Sequence, residues 1–503
     1  MKSEINSTSV LPNSLRRLIS PQTFYRFALI FSGAILIFVY PLLNIFAWNS
    51  LPSSMRIDGS DFGQYYAGGL VARHGIWRDL YPIQKKEIFD QAPQFKPLIK
   101  TRFFVEGKNQ RFLYPHIASP SATDISEELA TLCPQLCFVW RYMYPPPLAL
   151  YLKPLGYFDY MTAGKIWFTG MSLSFFGIGL LASMICRHLF GRTTYVQGWV
   201  TLLPLLPIFL GSNTSTTLSV GNSSPFLGFL IALVAYAWIK GWQAVMAAAL
   251  IVLIPFKGIG ASWYPLFLVK PVKWVTFLVS AGLAVLVNGV TVAYAGVSIY
   301  REFFKAVLPW ANSPEGTGLQ GILKDAFGIS LQSFISIAVF LLYAVIYIRY
   351  WRNRKQSNPV VIVASVVGMV AIFCTFNPVV WPNYCTIYLF LPFAGWLFWE
   401  LDKARGAWKA IIGFMMALNL FLYLDQVVFY KDSLLISWLT TKGWCSPVIL
   451  HLRAIGVGAN IYAIPLLEAF FFMVLAFRRL FIVSENQRQG TVLSPRRDMA
   501  GHE

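Results

Sequence analysis

The chain has 503 residues, 56% of them hydrophobic and only 13% charged, with a formal net charge of +19. A soluble domain carries about a quarter charged residues. A mean hydropathy of +0.56, with repeated apolar runs of about 20 residues, instead marks a polytopic membrane protein. The basic excess would suggest nucleic acid in a soluble chain. Here much of it lies in short loops and tails beside apolar runs, so membrane topology accounts for it and no nucleic-acid partner is expected.

In chain order, Lys2, Arg16, Arg17 and Arg26 precede a first apolar run over 27–48. The 26 residues before it are too long and polar for a cleaved leader. A basic flank stays cytoplasmic, which places the next segment outside. That segment runs to about residue 160 and is mostly polar, with short amphipathic stretches such as 85–95 suited to a membrane surface. Further spans are predicted over 162–186, 196–212, 224–240, 243–256, 259–270, 274–297, 329–349, 359–380, 384–400, 408–428 and 460–480, an all-α architecture of twelve helices. The runs at 243–256 and 259–270 are short and interrupted by Gly and Pro, and one broken hairpin there leaves every other orientation unchanged.

Charge tests this order. Alternation puts Arg187, Arg192, Lys240, Lys270, Lys273, the 349–355 cluster, Lys403, Arg405, Lys409 and the basic C-terminal tail inside, roughly half of the 41 lysines and arginines. Most of the rest lie in the long first loop, which the positive-inside rule does not count. Both termini are then cytoplasmic. The unusual polar, Pro- and Gly-rich segments all fall outside: DFGQYY at 61, YPPP at 144, GNSSP at 221, FKGIG at 256 and NPVVWPN at 377.

Those segments hold the residues able to carry chemistry. Asp61 at the mouth of an apolar groove suits a general base, because burial favours its protonated form; it equally suits a helix N-cap. Asp58, in Asp-Gly-Ser, reads as a turn residue. Tyr65 and Tyr66 suit stacking on a sugar or simple interfacial anchoring. Tyr144-Pro145-Pro146-Pro147 is a rigid elbow, and Arg141 just before it could meet an anion or snorkel to headgroups. Lys257 closes an apolar run, where a charge is costly and tends to be functional; it could pair with a lipid phosphate. Asn222 opens a span, where helix N-terminal donors favour anions, and Asn377, Trp381 and Asn383 form a similar turn. Glu468 lies inside the last span, where an acid is by default a functional suspect, although a hydrogen bond to a neighbouring helix is reason enough for it. His74 and His116 are isolated. Cys133 and Cys137 could bridge, but their spacing does not establish it. No P-loop, dinucleotide fingerprint, nucleophile elbow, Asp-x-Asp or zinc-like spacing occurs, so neither a nucleotide donor nor a metal or other cofactor is expected.

Taken together, Asp61, Phe62, Tyr65 and Tyr66 with Leu80-Tyr81, then Tyr144 to Pro147 with Pro154 to Gly156, the Gly221-Asn222 turn, Lys257, and Pro378 to Trp381 resemble the motif order of glycosyltransferase family 87, of the membrane-embedded GT-C class. The resemblance spans about 30–400. It implies a sugar, mannose or arabinofuranose, moved from a polyprenyl-phosphate donor to a glycan or glycolipid hydroxyl on the outer face of the cytoplasmic membrane, with inversion. It casts Asp61 as base and Lys257 as the characteristic lysine; Arg141 and Arg73 are further candidates for the donor phosphate, and Tyr65, Tyr66, Tyr144, Asn222, Trp381 and Asn383 for sugar or acceptor. The family pattern of Gly-Gln-Asn reads Gly221-Asn222-Ser223 here, and its Lys-Pro reads Lys257-Gly258. The expected organisation is a cytoplasmic tail over 1–26, a GT-C-like catalytic domain over 27–483 with its first external loop at 49–160, and a tail over 484–503. Two other classes remain open. A lipid or glycolipid transporter would carry charges midway across several spans and an internal repeat. A ligase or polymerase using a diphosphate-linked donor would carry arginine-rich outer loops, where Arg301 and Arg453 are the only arginines of the later ones.

Overall fold

The computed structural model describes residues 20–47, 60–81, 127–133, 142–211, 217–218, 220–257, 274–311, 315–316, 318–321, 323, 332–352, 358–377, 379–424 and 463–492. The described residues are helical and irregular, apart from a two-residue parallel bridge that pairs Glu315 with Val379 and Gly316 with Val380. Among the described residues, six helices are long and apolar enough to cross a membrane: Pro21–Ile45, Tyr160–Phe190, Leu278–Ala295, Phe334–Arg352, Pro359–Phe376 and Pro382–Lys403. Tyr195–Leu210, Ser224–Lys240, Gln243–Lys257 and Ala407–Tyr423 are apolar but shorter. The predicted run at 196–212 divides at Pro204, between helices Tyr195–Leu202 and Leu205–Leu210. The last helix, Ile464–Val492, continues past the predicted end of its span. The run at 259–270 and the amphipathic stretch at 85–95 lie outside the described residues, as do Arg141, His116 and Cys137.

Local chemistry sets the helix ends. Ser20, Asp159 and Asn358 each accept a backbone N–H in the first turn of their helices, and Pro21 and Pro359 occupy first positions whose missing N–H costs nothing. Gly191 and Gly241 close two helices in the left-handed conformation. Two helices contain a π-helical stretch, Ala34–Val39 and Cys385–Phe390. In each, a backbone carbonyl takes a side-chain donor from another helix, Leu36 from the Ser172 hydroxyl and Thr386 from the Tyr423 hydroxyl.

Helix Tyr160–Phe190 is the hub, packed against Ser224–Lys240, Tyr195–Leu202 and Leu391–Lys403, while Pro359–Phe376 lies along Ile464–Val492. Side chains on Pro359–Phe376 are buried nearly all round, whereas Leu278, Val285, Phe334 and Phe340 are exposed, as lipid-facing residues would be. The first loop contributes helix Ser60–His74, which rests on Pro146–Leu152 and the 3₁₀ segment Lys153–Tyr157. A glycine pair permits that contact. A Cβ on Gly69 would lie 2.4 Å from the Leu152 carbonyl oxygen, and one on Gly156 would lie 2.7 Å from the Gly69 carbonyl oxygen.

Candidate active site

Helix Ser60–His74 begins with Asp61 in its first turn. The Phe62 N–H donates to the Val220 carbonyl at 2.9 Å, which joins this helix start to the turn before helix Ser224–Lys240. Gly221, at φ +68°, makes that turn without strain, and its carbonyl accepts from the Trp167 indole at 2.8 Å. These bonds bring Asp61 against Asn222.

The Asp61 carboxylate accepts the Asn222 amide at Oδ2 (2.6 Å) and the Gln64 amide at Oδ1 (3.4 Å). Asn222 Oδ1 in turn accepts the Ser224 backbone N–H at 2.9 Å and the Ser224 hydroxyl at 2.5 Å. Asn383, beside Trp381 at the start of the Pro382–Lys403 span, donates to the Ser224 hydroxyl oxygen at 2.7 Å. Lys257, at the end of helix Gln243–Lys257, donates to the Tyr384 hydroxyl at 2.6 Å and lies over the rings of Tyr144 and Tyr384. It is near enough to act electrostatically on Asp61. Asp61 lies deep among protein atoms yet keeps partial access to solvent. Burial raises its pKa above the ordinary carboxylate value; the Asn222 bond and the Lys257 charge oppose that shift without cancelling it.

An aromatic wall backs the acid. The Tyr65 hydroxyl donates to Ser223 at 2.7 Å and shares a 2.6 Å bond with the Tyr144 hydroxyl, and its ring stacks on Trp167. Tyr144 is further fixed by the Tyr81 hydroxyl, which donates to its carbonyl. The Pro145 elbow leads directly into helix Pro146–Leu152, as its three prolines predict.

The structure thus gathers Asp61, Tyr65, Tyr144, Asn222, Lys257 and Asn383 at one place, with Trp381 partly buried beside them. Two predicted residues stand apart. Tyr66 follows Tyr65 on the helix and turns to another side, where its hydroxyl donates to the Phe158 carbonyl. Arg73 lies about 18 Å along the helix axis from Asp61, donates to the Gly156 carbonyl and stacks over Tyr157. Sequence reasoning missed Ser223, Ser224, Tyr384 and Tyr388. Their signal was adjacency: each lies within a few residues of Asn222 or Asn383. Glu468 accepts the Asn419 amide from the neighbouring helix, the structural role its position allowed. Among the described residues, no three His, Cys, Asp or Glu side chains are grouped as metal ligands.

The helices and the polar site at one end of them define a polytopic membrane protein with an acid and a lysine facing each other across a common cluster. The model of glycosyltransferase family 87 matches residues 142–378, just under half of the chain, so this stretch is similar to that family of transferases. The stretch contains Tyr144, Asn222 and Lys257; Asp61, Tyr65 and Tyr66 precede it, and Trp381 and Asn383 follow it. Hydrogen bonds to matched residues tie Asp61, Tyr65 and Asn383 to the same site. No curated protein matches the chain.

Proposed function

We propose that the chain transfers a sugar from a polyprenyl-phosphate donor to a hydroxyl of a glycan or glycolipid, with Asp61 as general base. The observation that carries this reading is the convergence on one site of a carboxylate with a raised pKa and a lysine beside it, at one end of a bundle of apolar helices.

In this mechanism Asp61 removes the acceptor hydroxyl proton as the oxygen attacks the anomeric carbon. The bond from that carbon to the phosphate oxygen breaks, the electron pair leaves with the phosphate, and the configuration inverts. Lys257 offsets the charge growing on the leaving phosphate, an interaction that strengthens as the transition state forms. Tyr384 accepts a hydrogen bond from Lys257 and keeps its own proton to donate to a phosphate oxygen. The starts of helices Ser224–Lys240 and Pro382–Lys403 meet here, and their positive ends favour an anionic ligand. Tyr144 and Trp381 are the aromatics best placed to meet the sugar. Tyr66 and Arg73 are withdrawn from the site roles, since each is engaged elsewhere.

The site faces outward in this account. Helix Ser224–Lys240 runs from the site to Lys240, and the span Pro382–Lys403 runs from Asn383 to Lys403. The ends remote from the site are therefore the basic ones, which the positive-inside rule places in the cytoplasm with both chain termini.

The test supplies membranes containing the full chain with radiolabelled polyprenyl-phosphate mannose, polyprenyl-phosphate arabinofuranose and diphosphate-linked sugars, and follows label into lipid and glycan. Transfer from a monophosphate donor is expected. Transfer from diphosphate donors alone would replace this reading with a ligase, and transfer from none would favour transport.

A further inference from the structure

The Asp61 carboxylate is held by an amide whose own orientation is fixed from elsewhere. A backbone N–H can only donate, so the bond from Ser224 N–H obliges the oxygen end of the Asn222 amide to face Ser224. The NH₂ end must then face Asp61, where it donates at 2.6 Å. The Ser224 hydroxyl has one proton. Its oxygen receives the Asn383 amide at 2.7 Å and the Tyr388 hydroxyl at 3.4 Å, which leaves that proton for Asn222 at 2.5 Å. Every bond in the series runs one way, from Asn383 to Ser224 to Asn222 to the carboxylate. All three residues are buried, and Ser224 is fully so. The Ser224 N–H and hydroxyl, with the Asn383 amide at 3.5 Å, donate to the Asn222 oxygen, which polarises its amide and strengthens the bond it gives to Asp61.

We infer that Ser224 and Asn383 are positioning residues that act through Asn222 to aim a polarised amide N–H at Asp61 Oδ2, leaving Oδ1 as the oxygen that takes the acceptor proton. The inference rests on the proposed role of Asp61 as base. Gln64 reaches Oδ1 only at 3.4 Å, so that oxygen keeps the freer lone pairs. The ionisable groups facing Asp61 are Lys257 from helix Gln243–Lys257, Tyr144 from the elbow, Tyr384 from the Pro382 turn, and Tyr65 on its own helix. Lys257 is the one cation among them, and the directed amide series is the neutral complement to it in favouring the ionised carboxylate.

The test measures sugar transfer against pH in membranes containing the full chain as wild type, Ser224→Ala, Asn383→Leu or Asp61→Asn, with whichever labelled polyprenyl-phosphate sugar the wild type uses. Ser224→Ala removes one donor from the Asn222 oxygen. Asn383→Leu removes the amide donor that holds the Ser224 oxygen as an acceptor, and with it the bond that commits the Ser224 proton to Asn222, without adding a charge near Asp61. Each is expected to move the acid limb of the rate profile upward by about one pH unit, a roughly tenfold loss below the limb that is regained as pH rises. A purely structural contribution would lower the rate by one factor at every pH and leave the limb in place. That result, or no change, would overturn the inference. Thermal melting of both variants in detergent identifies one that fails to fold, and the other then carries the test. Activity surviving in Asp61→Asn would sink the base assignment itself; an inactive Asp61→Asn beside an unmoved limb would sink this inference alone.

Discussion

At the residue scale, Asp61 combines two opposing demands. A base must be ionised to act, and burial opposes ionisation; the amide of Asn222 and the charge of Lys257 restore part of what burial removes. Because the net shift is upward, transfer should rise with pH along an acid limb above the ordinary carboxylate value of 3.8. A profile flat from pH 4 to 8 would remove this carboxylate from the rate-determining step. Lys257→Gln keeps much of the side-chain length but removes the charge, and should lower kcat/KM by about a hundredfold, the cost of one preorganised charge at a leaving oxygen. A change below threefold would place the phosphate elsewhere. Asp61 and Lys257 were visible in the sequence because each sits where a charge is unusual. The destination of Asn222 and Asn383 was not, since their partners are fixed by contacts between segments far apart in the chain. Both read as sugar-binding amides; the structure engages Asn222 with the acid and Asn383 with Ser224. Adjacent residues on a helix point about 100° apart, so Tyr65 and Tyr66 were bound to face different sides, and the bonds of each show which side is whose.

At the element scale, the site depends on helix Ser60–His74 lying flush on the segment after the proline elbow. Gly69→Ala would drive a methyl into the Leu152 carbonyl, a backbone atom that cannot yield cheaply. It should cost about 1–3 kcal/mol, seen as a lower melting temperature in detergent together with lost transfer. An unchanged melting temperature would show that the helix is not packed as described. A second contact locks the opposite end of the bundle. Arg479 makes a two-pronged bond to the fully buried Glu400, at 2.6 and 2.7 Å, joining helices Leu391–Lys403 and Ile464–Val492. Glu400→Ala leaves a largely buried guanidinium without its carboxylate and should destabilise by about 3–5 kcal/mol, with a far smaller effect on the pH profile because the pair is remote from Asp61. Helix positions were legible from apolar runs to within a few residues. The π-helical stretches were not, because they answer to tertiary donors such as Ser172 and Tyr423; the break at Pro204 is the interruption a proline imposes on a helix.

At the scale of the whole molecule, the helices form a bundle with a basic end and a polar end that holds the candidate site. Composition made the membrane class readable, because bilayers impose a length on every span, and the charge order gives the orientation expected of it. A cysteine introduced at the exposed Arg78, in a background lacking the six native cysteines, should react with an impermeant maleimide in intact cells, whereas one at Lys403 should react only after permeabilisation. The reverse pattern would invert the topology and place the site in the cytoplasm. The most direct measurement compares wild type with Asp61→Asn at matched levels in isolated membranes, using the labelled polyprenyl-phosphate sugar that the wild type accepts. The account predicts transfer by wild type and a loss of at least a hundredfold in the variant, of the order expected for removing a general base. Equal transfer by both would contradict it and leave Asp61 as a residue that only organises the start of its helix.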